Sequence, residues 1–243
     1  MPTVLLLGAS SDIAAALARK YAAQGYTLQL AARHAGRLLP MVSDLAIRYG
    51  TTATLHEFDA ATFAGHAPMW AGLEPKPDVT CCIFGYLGDQ SAAETDWTEC
   101  QRILTTNYLG AVSILNIAAT DYAAIRKGTI IGISSVAGER GRASNYFYGS
   151  AKAGFTAYLS GLRNRMARYD VHVLTVKPGF VETRMTEGLR LPAPLTASPD
   201  EVATAVIQAG ARKKNVIYVS GIWRWIMLVI KCIPERIFKK LNL

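Results

Sequence analysis

Histidine and cysteine are scarce in this chain, at four each in 243 residues. The histidines (His34, His56, His66 and His172) show no ligand spacing such as H-E-x-x-H, so no metal site is expected. Cys81 and Cys82 are adjacent on an apolar run, and Cys100 and Cys232 are isolated. This is the usage of reduced thiols rather than of a disulfide framework, and it suits a reducing, cytosolic compartment. The first residues lack a basic stretch and lead straight into an apolar run, so no signal peptide is indicated. Internal repeats, low-complexity tracts and an interdomain linker are missing too. What remains is 51% hydrophobic and 18% charged, a globular composition with enough length for one large α/β core.

Short apolar, β-branched runs alternate with helical patterns. The strand-like runs are Val4–Leu7, Thr27–Ala31, Thr51–Phe58, Val79–Phe84, Gly128–Ile133, Val171–Lys177 and Asn215–Val219. Helical patterns fill the gaps, including Tyr146 to about Tyr169 and Pro199–Ala211. Such alternation specifies a doubly wound, seven-stranded parallel sheet flanked by helices in a single Rossmann-type domain. We place that domain at residues 1–220 and a C-terminal amphipathic tail at 221–243.

Within this frame, Tyr148 and Lys152 stand four residues apart, on one face of a helix. A neighbouring ammonium favours the phenolate and lowers a tyrosine pKa, which suits proton transfer to an alcohol oxygen. Taken alone, the pair equally well lines a solvated helix face. Ser134 and Ser135 end the run Gly128–Ile133, thirteen residues or so upstream, where a hydroxyl either caps a turn or bonds a substrate oxygen. Asn107 sits inside a helical pattern that it does not favour. Near the N-terminus, Gly8-Ala9-Ser10-Ser11-Asp12-Ile13-Ala14 follows a strand and opens a helix, the arrangement that cradles a pyrophosphate. Asp12 and Ala14 occupy places where glycines are usual, and Asp12 near an N-cap is an alternative reading.

With these motifs in order, the chain resembles the short-chain dehydrogenase/reductases from roughly Thr3 to Ser220. The resemblance implies a catalytic tetrad of Asn107, Ser135, Tyr148 and Lys152. Tyr148 would be the general acid in reduction, with Lys152 lowering its pKa and holding the nicotinamide ribose. Ser135 would orient the carbonyl, and Asn107 would hold a water linking Lys152 to solvent. Cofactor contacts are implied for Gly8, Ser10, Ser11, Asp12, Ile13, Asp59, Gly85, Tyr148, Lys152, Pro178, Gly179 and Thr183. The chain departs from the family in the glycine loop and at Phe84-Gly85-Tyr86, where two asparagines before Ala-Gly are common.

Cofactor choice follows from another absence. No acid stands between Gln29 and Arg37 to take a ribose 2′-hydroxyl, whereas Arg33 and Arg37 suit a 2′-phosphate and Ser10 and Ser11 add hydroxyls. NADP(H) is therefore expected over NAD(H).

The last 33 residues hold 8 of the 26 basic residues and one of the 18 acids. Trp223–Lys231 adds tryptophans and aliphatic bulk, but its apolar run is far short of the ~18 residues that cross a bilayer. Ile237, Phe238 and Leu241 are expected to share a helical face opposed by Arg236, Lys239 and Lys240. The tail therefore reads as an interfacial anchor on an anionic membrane, attached to its inner, cytoplasmic face. A partner subunit of a homodimer or homotetramer, or the chain's own substrate pocket, are the other places for it. Nucleic acid is not expected, because no stacking platform accompanies the charge. The glycine loop, the run Phe84–Asp89 and the tail also resemble the reductase component of the decaprenylphosphoryl-ribose 2′-epimerase system. That likeness implies a keto sugar on a polyprenyl phosphate as substrate. A carbonyl reductase of soluble or fatty-acyl ketones, and an NADPH-binding sensor or scaffold, are the alternatives.

Overall fold

A computed structural model describes residues 1–241; the last two residues of the expected tail lie outside the described residues. The N-terminal half runs β1 (Thr3–Leu7), α1 (Asp12–Ala23), β2 (Thr27–Ala32), α2 (Leu39–Tyr49), β3 (Ala53–Glu57), α3 (His66–Ala71), β4 (Val79–Cys82), α4 (Gln90–Thr95), α5 (Trp97–Leu104) and α6 (Gly110–Ile125). The C-terminal half runs β5 (Thr129–Ile133), α7 (Tyr146–Met166), β6 (His172–Lys177), β7 (Phe180–Val181), β8 (Thr196–Ala197), α8 (Pro199–Ala211), β9 (Val216–Tyr218), α9 (Ile222–Cys232) and α10 (Glu235–Phe238).

Seven strands form one parallel sheet in the order β3-β2-β1-β4-β5-β6-β9. The expected doubly wound sheet is thus present. Every residue of β1 is buried, because helices cover both faces. Alternation divides its side chains: Val4 and Leu6 enter the core shared with α1 and α8, while Leu5 and Leu7 enter the core shared with α6 and α7. Successive strands are added to one side of β1 up to β3 and to its other side from β4 onward, so a crevice opens beyond the carboxyl ends of β1 and β4.

Three local features shape that crevice. Gly8 adopts φ +90°, and a Cβ there would lie 2.6 Å from the Phe84 nitrogen. Only glycine lets the first loop lie this close to the end of β4. Helices α5 and α6 join through a π turn at Thr105–Leu109 that contains Asn107. By length and composition this continuous helix is apolar enough to cross a bilayer, yet Ile114, Leu115, Ala118, Ala119 and Tyr122 fill the second core. The third is a parallel pair, β7–β8, too short to leave a sequence pattern, which closes the base of the loop between Pro178 and Pro199.

The C-terminal helix is docked on the body. Trp223 and Met227 are buried with Val136, while Phe180, Leu195 and Tyr218 pack against them. In the last turns, Phe238 is buried and Ile237 and Leu241 are exposed, so the three do not share one face.

Candidate active site

Helix α7 carries Tyr148 and Lys152, one turn apart, and Ser134 and Ser135 follow the end of β5 beside them. The two serines divide the readings open in the sequence. Ser134 is structural: its Oγ donates to the Lys152 carbonyl at 3.1 Å and meets Thr156 Oγ1 at 2.6 Å. Ser135 Oγ accepts the Ala137 N–H at 3.1 Å and stands beside Tyr148 in the cavity, where its hydroxyl pulls the tyrosine pKa down. Ser135, Tyr148 and Lys152 line one cavity of about 190 Å³, together with Ile13, Gly85, Pro178, Gly179 and Thr183.

Lys152 is 3% exposed, and its Nζ donates to the Ile133 carbonyl at 3.2 Å. Burial pulls its pKa down to about 8, partly opposed by the nearby Cys82. Tyr148 moves upward instead of downward: burial pushes it to about 12, and the Ser135 hydroxyl pulls against that rise. The expected lowering by Lys152 is not seen, since Nζ lies 5.6 Å from the Tyr148 ring centre and bonds elsewhere.

Asn107 stands behind the cavity wall. Its Nδ2 donates to Tyr86 O at 2.6 Å and to Ile103 O at 2.9 Å, and its Oδ1 accepts the Tyr86 N–H at 3.1 Å. Bonding the carbonyl four residues back suits the widened π turn. The amide thus fixes the loop after β4, and both of its hydrogens are used within the fold. A Cβ at Gly85 would meet Asn107 Oδ1 at 3.0 Å and Lys152 Nζ at 3.5 Å, so glycine keeps this approach open.

A second cleft of about 640 Å³ continues along the end of β1 and contains Ser10, Ser11, Asp12, Ile13, Arg33 and Arg37. Asp59 lies with Gly8 and Arg33 in the adjoining hollow. Ser11, not Asp12, is the N-cap of α1, accepting the Ala14 N–H at 3.2 Å. Asp12 is held by Arg184, whose backbone N–H and Nε reach the carboxylate at 2.8 and 3.1 Å. Arg184 also bonds the Ser10 carbonyl, so it straps the first loop to the loop after β7. Glu57, the acid nearest the end of β2, accepts the Ala35 N–H at 2.9 Å. The flat floor at Gly8, an α-helix N-terminus, a buried lysine with donors to spare and two arginines at the far end together fit a dinucleotide carrying an extra phosphate.

Residues 2–193 match the short chain dehydrogenase family. An uncharacterized oxidoreductase of Mycobacterium tuberculosis is 38% identical over 98% of this chain and 96% of its own length. One from Streptomyces coelicolor is 32% identical over 98% and 95%. The chain belongs to the short-chain dehydrogenase family. It is an oxidoreductase of that type, acting on CH–OH groups. A short-chain dehydrogenase from Sphingobium yanoikuyae, in complex with NADPH, shares the fold at TM-score 0.84 and 22% identity, covering 97% of each chain.

In this dehydrogenase Trp223 of α9 lines the cavity, so the start of the tail takes the place at the chain's own pocket that the sequence left as an alternative. A Cβ at Gly179 would fall 1.9 Å from the Trp223 ring, so this glycine seats the indole, and Trp223 Nε1 donates to Leu195 O at 3.1 Å. Two residues of the loop after β5 hold α9 in position. Arg140 Nη1 donates to the carbonyls of Ile230 and Ile233 at 2.5 and 2.7 Å, and its guanidinium lies 3.6 Å from the Phe238 ring centre. Glu139 takes Lys177 at 2.5 Å, Tyr218 at 2.7 Å and Lys231 at 3.1 Å. Burial would raise the Glu139 pKa, but these three donors outweigh it and hold the carboxyl below its ordinary value.

Proposed function

We propose that this chain is an NADP(H)-dependent ketone reductase whose substrate is carried on a lipid, such as a keto sugar on a polyprenyl phosphate. The observation that carries the reductase reading is the Tyr148–Ser135 hydroxyl pair beside the buried Lys152 in one cavity. NADPH, when bound, supplies the hydride. Tyr148 gives its hydroxyl proton to the oxygen that was the carbonyl, and Ser135 donates a hydrogen bond to the same oxygen. The Lys152 ammonium holds ribose hydroxyls and offsets the negative charge left on Tyr148, a role that the downward pull on its own pKa leaves intact at neutral pH. Pro178, Gly179 and Thr183 shape the wall on which the nicotinamide rests, while Arg33 and Arg37 take the 2′-phosphate.

Support for a lipid-borne substrate comes from the outer face of the C-terminal helix. Trp223 and Met227 face inward, yet Ile222, Trp225, Leu228 and Val229 are exposed, with Trp225 at 64% and Val229 at 65%. A helix apolar on both faces calls for a cover on the outside. Arg224 on the same helix and Arg236, Lys239 and Lys240 in the turns that follow are exposed, and among the described residues none of them has an ion-pair partner. An anionic lipid surface satisfies both the apolar and the basic chemistry.

Tyr148→Phe is expected to lose nearly all turnover and keep NADPH affinity, as measured by steady-state rates and fluorescence titration. Activity close to that of the parent chain on any accepted ketone removes the proton-donor role. Arg33→Ala is expected to weaken NADPH binding about tenfold or more and NADH binding little, reflecting a lost charge-assisted bond to phosphate. Equal losses for both cofactors refute the 2′-phosphate assignment. For the membrane face, a chain shortened after Gly221 is a poor probe, because it also strips Trp223 from the cavity. Trp225→Glu with Val229→Glu leaves the inner face untouched. In sedimentation with phosphatidylglycerol vesicles the parent chain is expected to pellet at low salt and less at high salt, and the double variant to stay in solution with NADPH binding intact. Unaltered pelleting of the variant defeats the assignment, and a fall in oligomeric mass without any lipid binding gives the face to a second copy instead.

A further inference from the structure

The loop between β5 and α7 presents Glu139, Arg140 and Arg142 within four positions, and each side chain goes to a different place. Glu139 is fully engaged by Lys177, Tyr218 and Lys231, and Arg140 by the end of α9 and Glu235. Arg142 instead lines the catalytic cavity, beside Ser135, Asn145 and Tyr148. Its Nε is buried and has no hydrogen-bond partner among the described residues. Among the described residues its Nη2 reaches only the Met227 sulfur, at 3.5 Å, a weak acceptor. Among the described residues no carboxylate lies within ion-pair distance of it. Asn145 Oδ1, of a residue lining the same cavity, is also buried without a partner among the described residues.

A guanidinium stays charged at neutral pH, and withdrawing it from water without a counter-charge opposes folding. Burial accordingly pulls the Arg142 pKa below its ordinary value. Packing against Met227 does not account for the choice, because an uncharged side chain of equal length would fill the same space. Nor does the cofactor's extra phosphate, which has Arg33 and Arg37 in the other cleft. We propose that Arg142 is the anion-recognising residue of the substrate site: the ketone presented to Tyr148 carries a phosphodiester or a carboxylate, which the Arg142 fork binds. The Asn145 amide would take a hydroxyl beside that group. A guanidinium presents paired N–H donors in a plane, the geometry that two oxygens of such an anion accept. This inference rests on the reductase reading above and narrows its substrate to anionic ketones.

The test uses the full chain and three derivatives of one cyclohexanone scaffold: a methyl phosphodiester, a carboxylate and the neutral methyl ester. Binding is read by tryptophan fluorescence, since Trp223 lines the cavity, and turnover by NADPH consumption. Arg142→Met preserves length and the contact with Met227. It is expected to raise KM and Kd for both charged probes by about 30-fold, the worth of a hydrogen bond to a charged group. The neutral ester and NADPH should be unaffected, and Arg142→Lys should recover part of the loss. Equal losses for charged and neutral probes, or none, overturn the proposal. Should Arg142→Met fail to fold, the parent chain and Arg142→Lys decide it: failure of the parent chain to bind the charged probes more tightly than the ester overturns it. Charge-selective binding without reduction of any probe upholds the anion site and removes the reductase reading. Reduction without charge selectivity does the reverse. Tighter binding of the phosphodiester than of the carboxylate points to a phosphate-borne ketone, and the opposite order to a keto acid.

Discussion

Burial of the Lys152 ammonium is the constraint on which the site depends. Taking a cation out of water is costly unless polar partners replace it. Here one replacement is the Ile133 carbonyl at the end of β5, and the lysine backbone is tied to the same strand end through Ser134. The close approach of Gly138 to the Lys152 backbone, where a Cβ would sit 2.6 Å from the carbonyl carbon, locks the turn that follows Ser135 against α7. Strand β5, this turn and the first turns of α7 therefore act as one rigid unit. That unit sets Ser135 and Tyr148 in one cavity, which under the proposed reaction would present both hydroxyls to an incoming oxygen.

The electrostatics of the pair show why the two residues belong in separate accounts. Tyr148 is driven toward its neutral, protonated form by burial, the state a proton donor needs in the reducing direction. Lys152 is pulled toward its neutral form as well, yet at about 8 it keeps its proton at neutral pH, and a negative charge arising beside it would hold that proton more firmly. The sequence spacing captured the nearness of the two residues but not these effects. Spacing reports proximity on a helix face, whereas the pKa of each group follows from the solvent that tertiary packing removes.

Much of the fold was readable because its signals are local. Fully buried runs such as Val4–Leu7, and a capped helix such as Pro199–Ala211 with its Ser198 and Glu201 reciprocal bonds, announce themselves within a few residues. The two-residue strands β7 and β8 offer no such period. The site was legible where a motif is compact, as with Tyr148 and Lys152. It was illegible where contacts join distant segments. Asp12 and Arg184 meet across 172 positions, which turns an expected phosphate-loop acid into one end of a strap. Trp223 reaches the cavity through Gly179, 44 residues earlier. Arg142 carries no signal in the sequence, because only its neighbours in the fold show that among the described residues no acid pairs with it.

The most direct measurement is an NMR titration of the chain labelled with carbon at the lysine ε position. One lysine signal, missing from Lys152→Met, should titrate near 8 and move when NADPH is added. A Lys152 signal that titrates at the ordinary value of about 10.4 and ignores NADPH would contradict the account, since neither burial nor a place beside the cofactor would then describe that ammonium.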